Sequence, residues 1–202
     1  MKEAERKLIV DLLPYEFRLG FIAFCLERCF KEARRHLTAS EQLDRLPLLR
    51  EGLEMLWSRA EHAVLSDPER INLILQHVLT YETPAKDQEN VIYSSDITLV
   101  EGARLLGKGM RVLQDPGMAT SRYVATALSA PYIAVAQIYS DYQYAKEAEK
   151  AIAEAALLRL REGISRPFSR RLFEGIPDWP RGDLSKQYAE GRLTGTAEEE
   201  DG

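Results

Sequence analysis

The sequence predicts an all-α fold: a single up-and-down bundle of five to seven helices, followed by a C-terminal arm. Three observations predict it. Apolar residues recur at three- and four-residue spacing along most of the chain. Prolines, glycines and short Ser/Thr/Asp clusters fall between those stretches, where helices start and stop. No sustained alternation, hairpin signal or fixed-period repeat occurs, so neither a sheet nor a helical solenoid is expected.

Residues 8–13 are a short apolar stretch worth one or two helical turns. Pro14 stops it and suits the first position of the next helix. From Tyr15 to about Leu37 there is no proline and one glycine, with Phe17, Phe21, Phe24 and Arg28 at helical spacing. Ile22, Leu26, Cys29, Phe30 and Ala33 make a second set, so the first half of this helix is apolar nearly all round and should be central. Thr38-Ala39-Ser40 is a turn, and Pro47 is expected to open a long helix running to about Leu65, with Leu49, Leu53, Leu56, Trp57 and Ala60 on one face. Asp67-Pro68-Glu69 starts a third helix: a cap, a proline at the first position, an acid in the first turn. Ile71, Ile74, Leu75, Val78 and Leu79 should face inward.

Residues 81–94 form the longest internal loop. Ser94-Ser95-Asp96 then caps a fourth helix to about Leu113, weakened by Gly102, Gly107 and Gly109. No strand precedes these glycines, so they read as points of close helix approach rather than as a phosphate loop. Asp115-Pro116-Gly117 is a turn and Thr120-Ser121 a cap for a fifth helix, which Pro131 should kink or break. A sixth segment, 132 to about 162, carries a small-residue stripe of Ile138, Tyr142, Ala145, Ala148, Ile152 and Ala155. After Gly163 the texture changes to arginines mixed with Phe168, Phe173 and Trp179. Residues 1–163 are therefore expected to be the bundle domain. Residues 164–202 are expected to be an extended or short-helical arm that docks by its aromatics and ends in a disordered acidic stretch.

Composition narrows function mainly by exclusion. The 202 residues carry 27 Lys+Arg against 32 Asp+Glu. Four of the five net negative charges belong to Glu198, Glu199, Glu200 and Asp201, so the rest of the chain is near neutral. A near-neutral body lacks the broad cationic field that nucleic acid requires. The longest apolar run, residues 19–26, is too short to span a bilayer, and Glu3 and Glu5 break the charge pattern of a secretory signal. A cytoplasmic, soluble protein is expected. Cys25 and Cys29 lie four apart on one helix face and read as buried thiols, since their spacing matches neither a redox pair nor a zinc site. His36, His62 and His77 form no ligand motif. No cofactor or metal is expected.

Several residue groups stand out as candidates. Glu27 and Arg28 follow the apolar run and read either as a charged pair lining a pocket or as two structural ion pairs where the helix leaves the core. Ser94, Ser95 and Asp96 resemble a nucleophile and acid, but capping accounts for all three. Tyr132, Tyr139, Tyr142 and Tyr144 suit a pocket, an interface or a partly buried helix face equally. Arg166, Arg170 and Arg171 cluster near Phe168 and suit an acidic partner or the chain's own acidic stretch. Arg181-Gly182-Asp183 spells an adhesion tripeptide in a sequence with no other extracellular feature.

The run Phe21-Ile22-Ala23-Phe24-Cys25-Leu26-Glu27-Arg28, with Phe30 and later Arg50, Leu53 and Trp57, resembles the opening helices of the YjaG-like family. Residues 100–112 and 119–135 are loosely similar to that family's middle helices, and the resemblance covers about residues 14–145. It implies a small, all-helical bacterial protein. It implies no catalytic residue, because that family has no assigned activity.

Function is therefore expected to be non-enzymatic protein binding, in its specific form an immunity-type or regulatory protein that binds and blocks a bacterial partner. The candidate interaction residues are Glu27, Arg28, Tyr132, Tyr139, Tyr142, Phe168, Arg170 and Arg171. The alternative is an enzyme or small-ligand binder with a pocket near Glu27, Arg28 and the 132–144 segment. A scaffold that forms homo-oligomers through the Ala-rich sixth segment is a third reading.

Overall fold

Helix α2 sets the architecture. The computed structural model describes residues 3–82, 94–120, 123, 124, 127, 130, 131 and 142–176. Among them lie six helices: α1 (Glu3–Leu12), α2 (Tyr15–His36), α3 (Ala39–His62), α4 (Pro68–Glu82), α5 (Ser94–Gln114) and α6 (Tyr142–Gly163). Two 3₁₀ turns, Pro116–Met118 and Arg170–Phe173, complete them, and no strand occurs among the described residues. Two-residue connections join α1 to α2 and α2 to α3, and α3 folds back beside α2. Helix α2 packs most extensively against α5 and α3, α5 also covers α4, and α1 rests on α6. The all-α bundle read from the sequence is the fold.

The centre of α2 is buried on nearly every side: Leu19, Phe21, Ile22, Ala23, Cys25, Leu26 and Cys29 are inaccessible. Pro14 stands just outside the helix, as its N-cap in extended conformation (ψ 162°), and its carbonyl accepts the first helical bond, from Arg18 N at 3.0 Å. The Arg18 side chain ties neighbouring chain ends together, donating from Nε to Leu13 O (2.8 Å) and from Nη1 to Ala119 O (2.6 Å).

Helix α5 approaches three helices through its three glycines. A Cβ at Gly102 would lie 2.8 Å from the Phe30 ring of α2, one at Gly107 3.0 Å from Val78 of α4, and one at Gly109 2.8 Å from Leu56 of α3. Helix α4 starts as its sequence dictates, with Asp67 Oδ1 accepting from Glu69 N at 3.0 Å. Asp115 Oδ1 likewise caps the first 3₁₀ turn through Gly117 N.

Four details differ from expectation. Helix α3 runs straight through Pro47 instead of starting there. Leu43, whose carbonyl would have received the missing N–H bond, and Pro47 itself are both exposed, so water can serve that carbonyl. Helix α3 also stops at His62, short of Leu65, because Ala63 turns left-handed (φ 53°) and its N–H bonds back to Arg59 O. In α4, Leu79 is 49% exposed, since the buried line passes through Ile71, Ile74 and Val78, a third of a turn away. In α6 the buried stripe is Glu149, Ile152, Ala153, Ala156, Leu157 and Leu160. Ala148 and Ala155 lie at its edge, and the charged Glu149 disguises its register. Tyr132, Tyr139 and Ile138, the kink proposed at Pro131, and the acidic stretch after residue 196 lie outside the described residues.

Candidate interaction site

The segment after α6 folds back across α2 and α3, and its sequence explains how. Ser169 Oγ accepts from Arg171 N at 3.3 Å and so starts the turn Arg170–Phe173. That turn points two aromatic side chains inward. Phe168 seats on Gly20 of α2, where a Cβ would come within 2.0 Å of its ring. It meets Phe17 edge-on (5.4 Å between centroids) and lies nearly parallel to Trp57 (6.3 Å). Phe173 stacks on Phe24 at 4.5 Å and meets Trp57 edge-on at 5.9 Å. Trp57 is thus the centre of an aromatic cluster drawn from α2, α3 and the arm. Its buried Nε1 has no hydrogen-bond partner among the described residues, a cost of about 1–3 kcal/mol that the packing offsets.

Arg170 closes the cluster. Its backbone N–H donates to Glu61 Oε1 at 2.6 Å, and its Nη2 donates to Glu27 Oε1 at 2.6 Å. Its guanidinium lies 4.7 Å from the centre of the Trp57 ring, within cation–π range. Glu27 and Arg170 each keep 41% of their side-chain surface in water.

Arg28, one residue on, points a third of a turn away and into the protein. It holds Glu149 of α6 bidentately, Nε to Oε2 and Nη2 to Oε1, both at 2.9 Å. The two side chains are 8% and 1% exposed. Adjacent Cys25 is buried, and burial pushes its thiol well above the ordinary range despite the opposing Arg28 charge. A protonated, enclosed thiol is not a nucleophile. Cys29 is also a buried thiol outside any disulfide.

Two clefts flank Glu27. One, of about 360 Å³, is walled by Phe24, Trp57, Phe173 and the exposed Arg171 and Glu174. The other, of about 450 Å³, lies between α2 and α3, with Phe30 and Leu53 as its floor and Lys31, Arg34, Arg50 and Glu54 around it. Lys31, Arg34 and Arg50 are exposed, and neither Arg34 nor Arg50 has an ion pair among the described residues. No group of three metal-ligand side chains converges among the described residues. No helix there is long and apolar enough to cross a membrane.

Of the residues singled out in the sequence, Glu27, Phe168, Arg170 and Arg171 come together here. Arg28 joins the interior instead, and lines neither cleft. Tyr142 opens α6, but its side chain lies outside the described residues, as do Tyr132 and Tyr139 altogether. The sequence reading missed Gly20, Glu61, Glu149, Arg34 and Arg50. Gly20 carried a signal: a lone glycine in an otherwise apolar helix marks a close approach. No protein-family model, curated protein or solved structure matches the chain.

Proposed function

We propose that the chain is a non-enzymatic protein-binding module of immunity or regulatory type, and that its contact face is the pair of clefts either side of Glu27. One observation carries the reading. Arg28–Glu149 and the protonated Cys25 are shut inside, whereas the clefts beside Glu27 have apolar walls and carry at their edge Arg34 and Arg50, which have no ion pair among the described residues. Arginine and large aromatics dominate the energetics of protein interfaces, and clefts this open suit side chains of a partner.

The test is affinity capture of the tagged full chain from lysate of its own cells, at low and high salt, beside a chain carrying Arg34→Glu and Arg50→Glu. A stoichiometric partner that is lost on charge reversal, and weakened by salt, supports the reading. A partner retained equally by both chains removes this face from consideration, and no partner at either salt removes the function. The cleft volumes also fall within the range of ligand pockets, which favours small-molecule binding as the second reading. A ligand screen scored by thermal shift, repeated on the charge-reversed chain, distinguishes the two.

A further inference from the structure

We infer that the cleft between α2 and α3 takes an acidic segment of a partner protein, whose carboxylates are set against Arg34 and Arg50. The inference rests on reading this face as a binding surface and adds the chemistry of what it binds. Arg34 on α2 and Arg50 on α3 both line the cleft, and both are exposed. Neither has an ion pair among the described residues, although Glu54 stands one helical turn after Arg50 and Glu27 shares α2 with Arg34. Glu27 is held instead by Arg170. Lys31, also on α2, already has a partner and is not counted.

The shape of the cleft makes those two charges decisive. Its floor is Phe30 and Leu53, only 3% and 6% exposed, so it offers an occupant little apolar surface. Affinity must then come from the walls. A guanidinium presents a rigid fork that matches a carboxylate, and the pair is stronger between low-dielectric walls than on a flat wet surface. The cleft, of about 450 Å³, is open to solvent, which suits side chains projected from a segment laid over the two helices. Nucleic acid is a poorer match. Its closely spaced phosphates would meet Glu27 and Glu54 in the same cleft, on a chain of net charge -5. A protein segment can place carboxylates against the arginines and a neutral or basic side chain opposite Glu54.

The experiment selects short random peptides, displayed on phage at low salt, against three full-length proteins. These are the native chain, a chain with Arg34→Gln and Arg50→Gln, and a chain with Arg34→Glu and Arg50→Glu. Both arginines are exposed, so the circular dichroism of all three should coincide. The native chain should enrich peptides rich in Asp and Glu, and the charge-reversed chain peptides rich in Lys and Arg. An acidic peptide so selected, synthesised and titrated, should bind the glutamine variant about ten-fold more weakly than the native chain, and the native chain itself more weakly as salt rises. Selection of the same peptides by native and charge-reversed chains overturns the inference, as does a native selection without acidic enrichment. Tighter binding of a random single-stranded oligonucleotide than of the selected peptide also overturns it, by replacing the protein partner with nucleic acid. Lysate capture separates this inference from the reading beneath it. A captured partner lost on charge reversal but held in full by the glutamine variant keeps the proposed face and removes only its recognition of acids. Acidic peptides selected as expected, with no partner captured, do the reverse.

Discussion

Glu27 and Arg28 are neighbours in the chain and live in different solvents. Arg28 crosses a dry seam to Glu149 of α6, 121 positions away, and each end of that pair depends on the other. Glu27 reaches a wet rim and meets Arg170, with water still on both side chains. The same kind of bond therefore has two meanings. In the seam it fixes which turn of α6 lies against α2, since an unpaired charge there is intolerable. On the rim it contributes little to stability, and its partners remain reachable from outside.

The largest contrast comes from cutting the seam. Glu149→Ala should destabilise by about 3–5 kcal/mol in urea titrations, because Arg28 is left charged and enclosed. The double replacement Arg28→Met with Glu149→Leu should restore most of that loss. If the single variant is as stable as the native chain, the two regions do not differ as described.

Gly20→Ala comes next and strikes between the two regions. The added methyl evicts Phe168, losing about 2 kcal/mol of aromatic burial against about 1 kcal/mol of helix propensity gained. A net loss of about 1 kcal/mol should accompany a change in Trp57 fluorescence, with helix content by circular dichroism preserved. Unfolding of the whole bundle would mean that the arm is not a separable layer.

The seam should also show in alkali. The folded-state pKa of Cys25 is raised above its ordinary 9.0. Its contribution to stability is thus complete below pH 9 and lost above it, as the unfolded thiol ionises and the folded one does not. The slope is up to about 1.4 kcal/mol per pH unit. Cys25→Ala should flatten that limb between pH 9 and 10, and an unchanged slope would assign it to the raised phenols of Tyr15 and Tyr81.

Two small effects sharpen the rim. Ala63→Gly should stabilise by about 0.5–1 kcal/mol, because the left-handed backbone there suits glycine. Glu27→Gln should cost no more than about 1 kcal/mol, with the cost fading as salt rises. A Glu27→Gln loss of several kcal/mol would make the rim a second seam.

Much of this was legible beforehand, and the residues show why. Asp67-Pro68-Glu69 and Asp115-Pro116-Gly117 are local signals, and they act as read because capping needs only neighbours in sequence. The three glycines of α5 were recognised as points of close approach, but which helix each admits depends on packing. Pro47 misled because its cost depends on whether water reaches one carbonyl. Glu149 was invisible for a stronger reason: only a partner 121 positions away makes a carboxylate belong on a buried stripe. Phe168 and Phe173 were expected to dock, whereas the surface that receives them is assembled from Phe17, Gly20, Phe24 and Trp57 on two helices.

Arg170 holds its place by two separable means. The link to Glu61 uses the backbone N–H, which every residue except proline possesses, while the link to Glu27 and the Trp57 face uses the guanidinium. Exchanging the side chain would leave the strap fastened and change only what it displays. Position 170 is accordingly a socket: it can carry a spectroscopic label, a different charge or an altered preference for visitors without rebuilding its mount.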